Sequence, residues 1–262
     1  GVLTGKGLNY GGSLARTEAT GYGTVYFTDA MLKDRGDSLK GKVCAVSGSG
    51  NVAIYCCEKL IQLGAKPVTV SDSTGTIYDE NGIDVAVLKQ VKEVERARLT
   101  RYAELVKTAK YTPVEQYPAG KHQVWCYKVA CAFPCATQNE LNEEDAKTLL
   151  ANGCKVVAEG ANMPSTLGAI KQFLDAKIAY GPAKAANAGG VATSQLEMEQ
   201  NAGMTAWTFE EVDSKLHTIM TNLYNNVAAT AREFGVEGNL VLGANIAGFR
   251  KVADAMIAQG VI

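Results

Sequence analysis

An α/β fold, built on a doubly wound, mostly parallel sheet with helices appended at the C-terminal end, is what this sequence predicts. The first observation behind it is that short, Val-rich apolar runs alternate with longer stretches of helical periodicity. The second is that the 27 glycines fall at the joints between those segments, with no repeat or low-complexity tract. The third is that the alternation stops at Trp207, after which the pattern is helical only.

Taken in order, residues 18–33 read as a helix closed by Gly36, and 42–47 as a short apolar run that suits a buried strand better than a helix. Residues 51–63 form the next helix, stopped at Gly64 by a C-terminal glycine, and 67–71 repeat the strand pattern. Strand, glycine turn, helix and strand within about 30 residues is a βαβ unit, which crosses over right-handed and lies parallel. A charged helix is expected over about 84–107, strands near 128–132 and at 155–158, a helix over about 143–151, another at 165–174 and a strand at 178–180. Residues 208–234 and 245–258 are mostly helical, with no strand evident after Tyr180. In the absence of a Ser/Pro-rich linker, 1–262 is expected to be one domain whose helices from about 207–262 pack back on it.

Composition narrows the function. A chain of 262 residues that is 47% hydrophobic and 20% charged is ordinary globular material, which excludes disorder, collagen and a small disulfide scaffold. With 26 Lys+Arg against 27 Asp+Glu, the net charge of -1 gives no reason to expect nucleic acid or an acidic membrane as a partner. The seven cysteines are odd in number, include no C-x-x-C pair and are joined by only two histidines. Reduced thiols in a cytoplasmic protein fit this better than a zinc site or a secreted framework, so no metal is expected. No apolar run has the length of a membrane span.

Between the first strand and its helix stands Gly48-Ser49-Gly50-Asn51-Val52-Ala53, a match to G-x-G-x-x-[GA]. The glycines let the backbone turn tightly and approach a pyrophosphate, Ala53 permits close packing of helix on strand, and the helix N-terminus offers N–H groups to the phosphate charge. An ordinary strand-to-helix turn would give the same bare pattern, but the βαβ context and the acidic Asp72, about 20 residues on, favour a Rossmann-like dinucleotide site. Asp72 at that spacing suits the ribose 2'-hydroxyl of NAD. Ser71, Ser73 and Thr74, with Lys92, Arg96 and Arg98 on the following helix, suit the 2'-phosphate of NADP, so spacing leaves both cofactors open.

Six ordered blocks carry a more specific signal. Gly11-Gly12-Ser13, Glu18 to Gly23, Pro134 to Asn139, Glu159 to Pro164, Asn187 to Val191 and Gly243 to Ile246 closely resemble the hexameric glutamate dehydrogenases over essentially the entire chain. The resemblance implies reversible oxidative deamination of L-glutamate to 2-oxoglutarate and ammonia, with hydride passing to a nicotinamide. Thr20 and Asn51 match residues that hold the nicotinamide carboxamide, and Ala136, Thr137 and Asn162 match cofactor-side positions. Arg16, Asn187, Val191 and Ser194 correspond to the substrate side of the cleft, where a polar Ser194 suits a distal carboxylate better than an apolar side chain. The Ser71-Asp72-Ser73 stretch with Lys92 and Arg98 resembles the NADP-using branch, which makes NADP the expected cofactor and NAD the alternative. Met163, Met198 and Met204 are expected to be packing residues, and His122 and His217 have no assigned chemistry.

The family's proton-handling Asp and Lys belong to an N-terminal substrate domain that this chain does not match. No catalytic residue is therefore expected in it, and residues 1–15 read as the connection out of that domain. The resemblance implies a homohexamer for the full-length enzyme. A chain lacking that domain is expected to be monomeric or weakly associated, inactive alone, and to expose apolar surface on the helices after 207.

Overall fold

The structure, a computed structural model, describes residues 1–260. The last two positions of the 207–262 range lie outside the described residues. In chain order the helices and strands are α1 (Ala19–Asp34), β1 (Val43–Val46), α2 (Asn51–Gln62), β2 (Lys66–Pro67), β3 (Thr69–Asp72), β4 (Gly75–Tyr78), α3 (Val85–Lys89), α4 (Leu99–Leu105) and β5 (Lys110–Pro113). They continue with β6 (Cys131–Phe133), α5 (Glu143–Ala151), β7 (Val156–Ala158), α6 (Leu167–Asp175), β8 (Ala179–Gly181), α7 (Ala183–Ala186), α8 (Gly189–Ala202), α9 (Phe209–Glu233) and α10 (Leu240–Gln259).

Five strands pair in the order β2-β1-β6-β7-β8, all parallel. Each inner strand divides its side chains between two cores with the two-residue period of a strand. Val46, Phe133, Val156 and Ala179 enter one core with Phe27, Ile54 and Leu60. Ala45, Ala132, Val157 and Tyr180 enter the other with Trp125, Leu149 and Phe173. Both faces are thus covered, the doubly wound arrangement expected of the apolar runs. The chain leaves β1 toward β2 on one side and returns to β6 on the other, so the strand order reverses between β1 and β6. A crevice opens there, beyond the C-terminal ends of the strands.

α1 is buried over most of its surface because α2, α8 and α9 all pack on it. Its glycines make this possible: a Cβ on Gly23 would stand 2.7 Å from the Cα of Gly189, so α1 and α8 cross backbone on backbone. This crossing sets Arg16 and Thr20, at the start of α1, against the first turns of α8. Gly36 and Gly64 adopt left-handed φ values of 71° and 82° just past α1 and α2, as their stop positions require. α10 packs on α9 yet keeps Phe249, Val252 and Ile257 exposed at 73%, 59% and 75%.

Two expectations are corrected here. The second strand of the βαβ unit is not one strand over 67–71. β2 pairs with β1, and the chain then peels away into β3, which joins β4 and β5 in a separate antiparallel sheet. Thr69 bridges the gap with its side chain, its Oγ1 accepting the Val46 amide at 2.9 Å and donating to the Val46 carbonyl at 3.0 Å. The charged helix over 84–107 is broken as well: α3 runs into a π-helical turn at Gln90–Val94, Arg96 adopts φ 52°, and α4 starts only at Leu99. The break has a long-range cause, since the Leu99 amide donates to Asp72 Oδ2 at 2.9 Å. α7 and α8, opened by Gly189-Gly190, were not expected as helices.

Candidate functional site

Loops from the ends of β1, β6 and β7 form the crevice. Ser47 fixes the first two together: its amide donates to the Phe133 carbonyl at 3.1 Å, and its Oγ accepts the Cys135 amide at 2.9 Å. Gly48 follows at φ 85°, with the Cys135 carbonyl 2.9 Å from where its Cβ would lie, so only glycine fits. The loop is braced from β3, as Ser71 Oγ accepts the Gly48 amide at 2.9 Å and the Ser71 amide donates to the Gly48 carbonyl at 3.0 Å. Gly50, by contrast, would direct a Cβ into open space, and no side chain caps the α2 N-terminus beyond it.

Two contiguous cavities occupy the crevice. The one over the glycine loop, of 720 Å³, is bordered by residues 48–52, by Ser71, Asp72 and Ser73, and by the 135–140 loop. The larger, of 1160 Å³, is bordered by Arg16 and Thr20 on one side and by Gly160, Ala161, Asn162 and Asn187 on the other, with Val191 and Ser194 of α8 completing it. Val52, Cys135, Ala136, Thr137 and Gln138 border both, so the two form one cleft.

In the larger cavity Arg16 Nε donates to Ser194 Oγ at 3.0 Å, and Asn187 Nδ2 donates to Asn162 Oδ1 at 2.9 Å. Arg16 is the only charged residue bordering it among the described residues. Three non-glycine residues with left-handed backbone each adjoin, in sequence, a residue that borders it: Ala15 at φ 58°, Asn139 at φ 56° and Met163 at φ 48°. Asn139 and Met163 hold each other through an amide-to-carbonyl bond of 3.0 Å, and Ala15 turns Arg16 into the cleft. Local strain of this kind persists where surrounding structure over-determines it.

The expected site residues separate into those the fold brings together and those it does not. Thr20, Ala136, Thr137, Asn162, Arg16, Asn187, Val191 and Ser194 border the larger cavity; Gly48, Ser49, Gly50 and Asn51 border the smaller, and Val52 both. Asn51 therefore does not share a cavity with Thr20. Asp72 borders the smaller cavity, but its carboxylate is already engaged. Oδ1 accepts the Thr74 amide at 2.8 Å and the Thr74 hydroxyl at 2.6 Å, and Oδ2 accepts the Leu99 amide. Its side chain is 6% exposed, and although burial opposes the charge, those donors and Lys92 hold the carboxyl below its ordinary value. This geometry anchors the 72–99 segment, and Oδ2, which accepts one amide, keeps a lone pair open to a ribose hydroxyl. Lys92 and Arg98 border neither cavity; Lys92 lies 4.0 Å from Asp72 and donates to the Ala97 carbonyl at 2.8 Å. Arg98 is the exposed cation here, its Nη1 donating to Ser73 Oγ at 2.9 Å.

Several bordering residues carry no site expectation from sequence. Met198, expected to be packing alone, borders the larger cavity with Gln138 and Gln195. His122 and Glu140 border the smaller one. Burial pulls the His122 imidazole down to about 4, so it is neutral at physiological pH, and its Nδ1 accepts the Val124 amide at 3.3 Å. Burial pushes the Glu140 carboxyl up to about 7. Cys135 and Glu140 lie in or beside the block Pro134 to Asn139, which was the only signal that could have found them.

Residues 11–260 match the Glutamate/Leucine/Phenylalanine/Valine dehydrogenase family. The chain belongs to this family. The NADP-specific glutamate dehydrogenase of Helicobacter pylori (strain ATCC 700392 / 26695) is 66% identical over 261 residues, covering 100% of this chain and 58% of the relative. An NAD(P)-specific glutamate dehydrogenase of Xylanibacter ruminicola is 56% identical, with 100% and 58% covered. Among solved structures, glutamate dehydrogenase 2 of Plasmodium falciparum superposes with a TM-score of 0.94 at 48% identity, over 100% of this chain and 57% of that one. This member of the dehydrogenase family thus spans a little over half the length of the relatives it matches. No helix among its described residues is long and apolar enough to cross a membrane, and no group of three or more His, Cys, Asp or Glu among them could hold a metal.

Proposed function

We propose that this chain is the cofactor-binding part of an NADP-dependent glutamate dehydrogenase, catalysing reversible oxidative deamination of L-glutamate to 2-oxoglutarate and ammonia. The observation that carries the reading is the continuity of the cleft. Open space over Gly50 and the uncapped α2 N-terminus leads past Ala136 and Thr137 to the Arg16–Ser194 wall. A dinucleotide fits the first end, because a Cβ at Gly50 would fill open space there.

The residues in hand bind and orient. The α2 N-terminus and the loop 48–50 receive the pyrophosphate, and Ser73 with Arg98 face the adenosine end, where a 2'-phosphate finds a charged, planar donor. Thr20, Thr137 and Asn162 flank the nicotinamide end, and Arg16, Asn187, Val191 and Ser194 border the substrate. The cofactor, when bound, supplies the hydride-accepting ring. No Asp, Glu, Lys or His among the described residues borders the larger cavity. This supports placing the proton-handling groups in the part of the whole protein beyond this chain's match. We assign that whole protein to the cytoplasm as a homohexamer, with residues 1–15 as the link between domains and the helices from 207 packed back on the cofactor domain. This chain alone is inactive and monomeric or weakly associated.

The direct test titrates NADPH and NADH into the protein and assays glutamate-dependent NADP reduction. Tighter binding of NADPH without turnover is the expected result. Tighter NADH binding makes the enzyme NAD-specific, and appreciable turnover by these residues alone overturns the division of labour. A sedimentation mass of six chains overturns the assembly reading.

A further inference from the structure

Among the residues that border the smaller cavity, the half-buried Glu140 carries an oxygen that neither binding nor folding fully accounts for. Glu140 Oε1 accepts the amides of Ala136 at 2.9 Å and Thr137 at 3.3 Å, so the carboxyl holds the loop shared by both cavities. Its Oε2 is sealed from solvent and has no hydrogen-bond partner, and no cation pairs with it among the described residues. An ionised oxygen sealed from solvent with no cation beside it is costly. The Ser47 hydroxyl and the two amides favour the ionised form, and burial outweighs all three.

The groups around Glu140 leave its proton as the one that responds. Asp145 on α5, a second buried carboxylate, accepts the amides of His122 and Asn142 and adds negative field. His122 is neutral, Cys135 is a buried thiol, and Asp72 across the cavity is held ionised. Dinucleotide phosphates against residues 48–50 place further negative charge in the same cavity, which disfavours ionised Glu140.

We propose that Glu140 is a positioning residue of the cleft that takes up a proton from solvent as the dinucleotide binds, making cofactor affinity fall as pH rises. The proposal rests on the dinucleotide reading above. Loss of a single proton limits the slope to about tenfold in affinity per pH unit. Burial raises the carboxyl to about 7, so the fall lies above neutrality, where the free protein is ionised.

NADH is the suitable probe, since it has no 2'-phosphate to titrate in the same range. Its affinity is measured by fluorescence between pH 6 and 9, and proton uptake by calorimetry in buffers of different protonation enthalpy. Falling affinity above pH 7 with uptake of a fraction of one proton is expected for the natural sequence. Glu140→Gln, which keeps the amide acceptor but cannot ionise, is expected to bind with neither slope nor uptake. Glu140→Asp is expected to restore both in part, and His122→Gln to retain both. An unchanged slope in Glu140→Gln, or no proton uptake by the natural sequence, overturns the proposal while leaving dinucleotide binding intact. Absence of binding at every pH overturns the dinucleotide reading and the proposal with it.

Discussion

Glu197 on α8 and Lys6 in the N-terminal segment meet in a 2.6 Å ion pair whose carboxylate end is fully buried. The same carboxylate accepts the amides of Gly5 at 2.9 Å and Lys6 at 3.4 Å, which ties the first residues of the chain to the helix that carries Ser194. Removing the acceptor strands those donors. Glu197→Ala is expected to cost about 2–3 kcal/mol, or roughly 5–10 °C in Tm, by thermal melt.

That pair also sets a pH dependence. Burial raises the Glu197 carboxyl, but Lys6 and the two amides outweigh it and hold the group below its ordinary value. Its contribution is therefore fully present above the unfolded carboxylate value of about 4.3 and is lost as pH falls through the folded one. Melts between pH 3 and 7 are expected to show a steeper acid loss for the natural sequence than for Glu197→Gln.

Two glycines separate binding from stability. A Cβ on Gly189 would lie 2.0 Å from the Ala19 carbonyl, whereas one on Gly50 meets nothing within 4 Å. Gly189→Ala is expected to lower stability by about 3 kcal/mol or more through the α1–α8 crossing. Gly50→Ala is expected to leave the Tm within about 2 °C and to weaken both dinucleotides at least about tenfold, because its methyl fills the pyrophosphate approach.

The Asp72 and Arg98 positions predict different effects on cofactor selectivity. Asp72→Ala frees the Thr74 and Leu99 donors and is expected to lower the Tm while weakening NADPH and NADH to a similar degree. Arg98→Ala, at an exposed residue bonded to Ser73, is expected to weaken NADPH about tenfold and NADH little. Loss of NADH binding alone in Asp72→Ala would show the ribose role.

Cys126 is the one cysteine that is not buried, and all seven are free. Burial raises its thiol too, so it reacts slowly for an exposed thiol but ahead of the rest. A thiol reagent under native conditions is expected to modify Cys126 first and the other six on the unfolding timescale. Rapid labelling of Cys56 or Cys57 would contradict the packing of α2.

What sequence conveys and what it withholds divide along the range of the interactions. β1, the glycine turn and α2 were legible because an apolar run, two glycines and a helical stripe act locally. The 84–107 segment was misread because its end is decided by Asp72, a partner distant in sequence whose pull on Leu99 outweighs helix propensity. Thr20 and Ser194 were placed on the cleft by resemblance, and the Gly23–Gly189 crossing supplies the physical reason. Glu140 was missed because a glutamate beside a loop reads as solvated, while its carboxyl meets Ser47, distant in sequence at the end of a neighbouring strand.

The hydroxyl of Thr69 marks where the chain abandons the parallel sheet, and everything from there to β5 hangs on a sheet of its own. The segment bearing Ser73 and Arg98 is thereby an outrigger to the five parallel strands. Beyond Ser71, which braces the turn at Gly48, its length, turns and charges can be rewritten without shifting the register of β1 against β6. A scaffold divided in this way can change which dinucleotide it prefers while keeping its grip on the part that all dinucleotides share.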